Sequence, residues 1–358
     1  MKRFKVIVLT VLCMVLLSAC SKDNKTTGEA ESPTTTQVPT TVPEATAVPE
    51  ATATVETATK DKIDINIAAL KGPTAIGMVK VMDDAAAGTT ANNYNFTIAG
   101  AAEELSTGIV KGDFDIAAVP CNLASVLYNN SKGGIKVAGI NTLGVLYIVE
   151  TGNTINTVED LKGKTIYSTG KGTTPQYTLN YLLKAYGIDP EKDVTIEYKT
   201  ESTEVAAILE SSTDAIAMLP QPYVTTVLMT NDKLRIALSV ADEWDKVSTD
   251  KSSVVTGVVV VNSKFLENNK EAFDAFMEEY TASAAYVNEN VDAASALVEK
   301  FDIFKAAPMK KALPNCNITL IQGDQMKQKV SGYLTALFNQ EPKSVGGKLP
   351  DDAFYYVP

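Results

Sequence analysis

Twelve residues stand where a predicted strand runs into a predicted helix: Thr74; Ala101, Ala102 and Glu103; Cys121 and Asn122; Gly170, Gly172, Thr173 and Thr174; Gln221 and Tyr223. The first turn of a helix presents backbone N–H groups without intrahelical acceptors and carries partial positive charge, so such junctions suit an anion or a polar group. Thr and Asn add hydroxyl and amide donors, and the glycines admit close backbone approach. Glu103 can take an amine or a pyrimidine, and Tyr223 can stack on a flat ligand. Each type also has a plainer role: Thr and Asn cap helices, a first-turn Glu answers the helix dipole, and Tyr packs. Lys171, between two of the glycines, can complete an anion site or face solvent.

This is the chemistry of binding and not of bond-making. The chain has no histidine, which removes Ser-His-Asp and Cys-His catalysis and every His-ligated metal site. Of the four cysteines, Cys13 and Cys20 fall in the first twenty residues. Cys121 and Cys316 are too few and too far apart for a zinc motif, and either pair with each other or stay buried as free thiols. Nothing near Cys121 depresses its pKa, so it lines a pocket without reacting. The expectation is a protein with no catalytic residues, no metal and no cofactor.

The N-terminus sets the compartment. Lys2, Arg3 and Lys5 precede an apolar run from Val6 to Leu17, which ends in Leu17-Ser18-Ala19-Cys20. A basic start, about a dozen apolar residues and small residues before a cut site make a secretory signal peptide. The cysteine directly after the cut resembles a bacterial lipobox, which implies cleavage before Cys20 and diacylation of its thiol. An ordinary signal peptide with an incidental cysteine, and a retained membrane anchor, are the alternatives. Residues 1–19 are thus expected to be a lipoprotein signal peptide. Residues 20–60 read as a lipidated cysteine and a tether of Thr, Pro, Ala, Glu and Ser, whose apolar content is too low to offset its ordering entropy. Some 40 such residues average about 35 Å end to end as a flexible coil. The expected location is extracytoplasmic, lipid-anchored to the outer face of the cell membrane.

The remaining 300 or so residues can bury a large core and suggest two lobes. The formal charge of the whole chain is −11, and loss of Lys2, Arg3 and Lys5 makes it three charges more negative. No basic stripe follows, which argues against nucleic acid as a partner.

The elements that must position the junction residues recur in order. Ile63–Ile67 is an alternating strand that runs through Gly72 into a helix from about Ala75; Phe96–Ala99 leads to a helix from Glu103 to about Gly112; Phe114–Val119 leads through Pro120 to a helix ending near Asn129. Strands at Ile135–Ala138 and Gly144–Val149 follow, and the order begins again. Thr157 caps a short helix, Lys164–Ser168 is a strand, and a helix ends before Gly187. Strands at Val194–Tyr198 and Ala215–Leu219 flank a helix at about Glu204–Leu209. Such alternation indicates parallel sheets covered by helices. The two halves share a local pattern: Asp115-Ile-Ala-Ala-Val-Pro120 and Asp214-Ala-Ile-Ala-Met-Leu-Pro220 each join a buried strand to a helix through a proline. A strand at Val254–Val261 precedes a mainly helical region from Lys270 to Phe338, and the tail Pro342–Pro358 is expected to wrap a surface. Trp244, the lone tryptophan, is expected in the core or where the lobes meet.

Taken together, the lipobox, the tether, Lys71-Gly72-Pro73-Thr74, Asp115-Ile-Ala-Ala-Val-Pro120, Asp160-Leu-Lys-Gly-Lys164 and Gly257-Val-Val-Val-Val-Asn262 before Lys264-Phe265 resemble substrate-binding proteins of bacterial ABC importers. The resemblance covers roughly residues 60–340 and lies with the nitrate/sulfonate/bicarbonate branch, which includes thiamine-precursor binders. It implies an α/β class, two-lobed type II periplasmic-binding-protein fold with a hinge and an interlobe cleft. Lobe one would be 61–149 plus 253–358, lobe two 150–252, with crossing strands near 146–151 and 252–257. It implies capture of a small anionic, zwitterionic or heterocyclic solute by hinge closure, and an ABC permease and ATPase complex as partners, with the protein acting as a monomer. No junction carries an arginine, which a strongly charged sulfonate often calls for. A surface receptor or adhesin without transport, and a cofactor-free enzyme such as a dehydratase on the same fold, are the other readings.

Overall fold

The computed structural model describes residues 61–248 and 252–358. The signal peptide, Cys20 and the tether lie outside the described residues.

Two sheets organise the chain. The first half runs β1 (Asp64–Leu70), α1 (Pro73–Ile76), α2 (Val79–Ala86), β2 (Asn93–Ala99), α3 (Ala102–Lys111), β3 (Ile116–Pro120), α4 (Cys121–Asn130) and β4 (Ile135–Leu143). The chain then enters the second sheet with β5 (Leu146–Thr151), β6 (Thr165–Ser168), α5 (Thr174–Ala185), β7 (Thr195–Tyr198), α6 (Ser202–Ser211), β8 (Ile216–Pro220), α7 (Tyr223–Thr230), β9 (Leu234–Ser239) and α8 (Val240–Val247). It returns with β10 (Val255–Asn262), α9 (Ser263–Asn268), α10 (Lys270–Glu289), α11 (Val291–Lys300), α12 (Ala306–Ala312), β11 (Ile318–Ile321) and α13 (Gly323–Gln340).

The first sheet has the order β11-β4-β10-β3-β1-β2 and the second β7-β6-β8-β5-β9. Apart from β11 they are the same sheet. In each, a central strand (β1, β6) pairs in parallel with two neighbours (β2 and β3; β7 and β8), and an antiparallel strand (β10, β5) joins the second of these to an outer one (β4, β9). The two Asp-strand-Pro segments occupy equivalent places as β3 and β8. Each lobe's antiparallel strand comes from the far side of a crossing. The strand Leu146–Thr151, expected at the crossing itself, belongs wholly to the second sheet, so the chain has crossed at Gly144-Val145.

Burial on both faces explains the unbroken apolar runs. In β10, Val258 and Val260 pack with Trp244, Tyr333 and Leu337 on one side, while Val259 and Val261 pack with Phe273, Phe276 and Tyr280 on the other. Alternate residues of a strand face opposite ways, so a four-valine run feeds two cores at once. The second sheet repeats this with Ile148, Ile166 and Met218 on one face and Val149, Ala217 and Leu219 on the other.

The tail does wrap a surface. Ser344, Val345 and Phe354 are fully buried, and the Tyr356 N–H donates to the Val137 carbonyl at 2.8 Å, which lays the C-terminus along the first sheet. Cys121 and Cys316 are both buried and unpaired, so the thiol alternative holds.

Candidate functional site

A cleft of about 710 Å³ lies at the carboxyl ends of the parallel strands of both sheets. Its walls come from the β1–α1 loop (Leu70, Lys71, Pro73), the β2–α3 loop (Ile98, Gly100, Ala101, Ala102, Glu103) and Pro120 after β3. The second sheet supplies the β6–α5 loop (Thr169, Gly170, Lys171, Thr173), the β7–α6 loop (Tyr198 to Thr203), and Pro220 with Tyr223 after β8. Six strand-to-helix junctions, three from each sheet, thus face one space whose size suits a small molecule.

The loops are fixed by their own hydrogen bonds. The Lys71 N–H donates to the Ala99 carbonyl at 2.8 Å, tying the first loop to the second. In the β6–α5 loop Gly170 has φ 70°, and a Cβ there would stand 2.7 Å from Thr173 Oγ1, so the turn needs glycine. The Thr173 hydroxyl closes that turn by donating to the Gly170 carbonyl at 2.8 Å. The β2–α3 and β7–α6 junctions are built alike: Glu104 accepts the Ala101 N–H at 2.8 Å, and Glu204 accepts the Glu201 N–H at 3.1 Å. In each, the carboxylate three residues into the helix reaches back to its start.

Of the twelve junction residues singled out above, Ala101, Ala102, Glu103, Gly170, Thr173 and Tyr223 line the cleft. The other six stand outside its lining. Thr74 is buried, its hydroxyl donating to the Leu70 carbonyl at 2.9 Å. Cys121 is fully buried, and burial pushes its thiol well above the ordinary cysteine range, so no thiolate faces the cleft. Gln221 is buried with its carbonyl accepting from the Thr225 N–H and hydroxyl, at 3.2 and 2.8 Å. Gly172 donates its N–H to the Gln176 side chain at 2.7 Å.

Asn122 and Thr174 join the two lobes instead. Asn122, fully buried, accepts from the Thr174 hydroxyl at 3.2 Å and donates to the carbonyls of Gly172 and Ser344, at 3.4 and 2.9 Å. The Thr178 and Tyr333 hydroxyls share a hydrogen bond nearby, at 2.5 Å. Trp244 stacks on Tyr181 at 3.9 Å between ring centroids and tilts against Tyr333 at 5.2 Å. At the other end of the cleft, Tyr223 of the second lobe meets Phe304 of the first edge-on at 5.0 Å. Burial raises the Tyr223 hydroxyl's pKa, and the nearby Glu201 charge adds to it. The phenol therefore stays neutral.

The β7–α6 loop is a part of the wall that the strand-to-helix junctions chosen from sequence left out. Its signal was present: Glu201-Ser-Thr-Glu204 after a strand has the same form as Ala101-Ala-Glu-Glu104. Among the lining cations, Lys71 pairs with Asp302 at 3.3 Å and Lys199 with Glu197 at 3.0 Å. Among the described residues, Lys171, Glu103 and Glu201 have no ion-pair partner. No group of three or more His, Cys, Asp or Glu side chains there can hold a metal ion.

Two like lobes with a cleft at the strands' carboxyl ends have known counterparts. A protein from Parabacteroides distasonis, described as an ABC transporter, superposes with a TM-score of 0.68 at 24% identity, covering 82% of this chain and 98% of that one. The periplasmic aliphatic sulphonate binding protein SsuA from Escherichia coli gives 0.65 at 15% identity, with coverage of 82% and 92%. The fold is that of a type II periplasmic binding protein. The alkanesulfonate-binding protein SsuA from Xanthomonas axonopodis pv. citri, bound to MOPS, has the same periplasmic-binding fold, with a TM-score of 0.63, 13% identity and coverage of 82% and 96%. Residues 130–294 match the family model described as NMT1/THI5 like, a stretch that includes the whole second sheet. This agrees with the branch that the motifs resemble. No curated protein matches the sequence.

Proposed function

We propose that this chain is the solute-binding component of an ABC importer, held outside the cell membrane by a lipid on Cys20, and that it is not an enzyme. The observation that carries this reading is the cleft itself: loops from the carboxyl ends of six strands, three in each of two matching lobes, converge on one space of about 710 Å³. The helix starts at Ala102 and Ser202, and Thr173 just before α5, line that space with donors that suit a small polar solute. The sulphonate-binding neighbours support a small organic or inorganic anion as one class, and the Glu103 and Glu201 carboxylates support an amine-bearing solute as another.

In this reading the boundaries expected from sequence, 61–149 plus 253–358 for lobe one and 150–252 for lobe two, move at the first crossing to Gly144-Val145, so that β5 belongs to lobe two, and a hinge lies at that crossing. The solute is gripped by hinge closure and delivered to the permease and its ATPase. Ala101, Ala102, Glu103, Gly170, Thr173 and Tyr223 contact it, with Lys71, Tyr198 and Glu201 joining them. Asn122 and Thr174 act on binding only through the lobe contact they make.

Thermal unfolding of the full chain against nitrate, bicarbonate, sulfonates, pyrimidines, amino acids and aromatic acids tests this. A solute at a hundred times its Kd adds about 2.7 kcal/mol of stability, so one chemical class raises the melting temperature by several degrees. The solute is recovered unchanged after long incubation. Turnover of the bound compound, or a flat response across all six classes, contradicts the reading.

A further inference from the structure

We propose that Glu201 makes closure of the cleft selective for a solute that carries a positively charged group; this rests on the solute-binding reading above. Glu201 stands just before α6 in the second lobe, yet its carboxylate lies against Gly100 of the first. One Glu201 oxygen and one Glu104 oxygen each stand 3.6 Å from the point where a Cβ on Gly100 would be. Both are held in place: Glu104 by the Ala101 N–H at 2.8 Å, and Glu201 by the Thr203 hydroxyl at 3.2 Å. Glu103 lines the same wall. Carboxylates of the two lobes therefore border one point here, at a helix start whose positive end Glu103 and Glu104 already offset.

Like charges brought together across a closing gap oppose the closure, and more so as water leaves. The cleft's cations do not relieve this. Lys71 is committed to Asp302 and Lys199 to Glu197, which leaves Lys171 on the β6–α5 loop as the one lining cation without an ion-pair partner among the described residues. An ammonium or similar cation placed between Glu201 and the α3 carboxylates turns the repulsion into attraction, while Lys171 remains to receive an anionic or polar end. A solute with only an anion leaves the carboxylates facing each other. The charge of the solute thus decides whether binding and closing reinforce each other.

The test is energy transfer between dyes on the full chain at Val110→Cys in the first lobe and Met229→Cys in the second, both exposed positions. The probes are butyrate with γ-aminobutyrate, and ethylsulfonate with aminoethylsulfonate. Glu201→Gln raises transfer in the absence of any probe, because the resting repulsion is gone. In the wild type, the amino member of each pair closes the lobes at a concentration tenfold or more below its amine-free partner, and Glu201→Gln abolishes that preference. Unchanged resting transfer in Glu201→Gln overturns the proposal, as does an amine-free probe that closes the wild type at equal or lower concentration. If no probe of either kind closes the wild type, the resting transfer alone decides it. The solute-binding reading fails separately, when no compound of the wider panel raises the melting temperature.

Discussion

Where α5 of the second lobe lies on α4 and α13 of the first, the facing side chains are Asn122, Thr174, Thr178 and Tyr333, with Trp244 of α8 packed against Tyr181 and Tyr333 beside them, all five fully buried. Where α7 packs on α12 at the other end of the cleft, Tyr223 also meets Phe304 edge-on, and charged Lys71, Asp302 and Glu201 stand nearby. The first flank resembles the inside of a domain. Tyr177 and Tyr181 of α5 even pack against the first lobe's hydrophobic cluster. Exposing that flank would strip water-free hydrogen bonds and stacked rings at once, whereas exposing the second separates α7 from α12, breaks the Tyr223–Phe304 contact and hydrates charges that favour water. On that contrast, opening is expected to pivot on the α5 flank and to part at the Tyr223 flank.

The largest effect should come from Trp244→Ala on the pivot flank. Deleting a fully buried indole stacked on Tyr181 should cost about 3–5 kcal/mol, read as a lower midpoint in chemical unfolding. A loss below about 1 kcal/mol would mean that this flank is looser than its burial implies.

Glu150→Gln sets a reference, because its buried carboxylate works within one lobe. Burial alone would raise the pKa of Glu150, but the N–H groups of Ile155 and Thr154, the Thr154 hydroxyl and Arg235 outweigh it and hold it below the ordinary value. A depressed carboxylate stabilises the fold above its unfolded pKa and loses that contribution as pH falls through the folded one. Substitution should cost about 1–3 kcal/mol at pH 7, and the gap from wild type should shrink below about pH 4. A gap that persists at acid pH would show that packing and not charge explains it.

Asn122→Ala comes next. It leaves the Ser344 carbonyl and Thr174 hydroxyl without their partner, which should lower stability by about 1–2 kcal/mol and let the pivot slip. Unchanged melting would place Asn122 outside the pivot. Phe304→Ala should be mildest, about 0.5–1.5 kcal/mol or less in stability, while shifting energy transfer between the lobes toward the open state. A large stability loss there would erase the contrast between the flanks.

Much of this fold is legible from local pattern. The Asp-strand-Pro segments mark β3 and β8 because a strand buried on both faces must be apolar throughout and must hand over to a helix with no N–H to spare. β11 escaped because four residues at a sheet edge leave no periodicity inside a helical region, and β9 because Arg235 and the exposed Ile236 break its alternation. The site was half legible. A strand-to-helix junction is visible in sequence, yet its residues turn either to the cleft or back to the core. Asn122 and Thr174 turn to each other, a contact between residues 52 apart that neither neighbourhood announces. The β7–α6 loop carried its signal openly in Glu201 and Glu204.

Amide hydrogen exchange of the full chain, with and without a solute that raises its melting temperature, tests whether the cleft loops bind the solute while the α5 flank stays closed. New protection is expected in the loops 70–73, 98–103, 169–173 and 198–203, while α5 and α13 are slow in both states. Protection that appears elsewhere and leaves these loops unchanged, or fast exchange in α5 without solute, would contradict it.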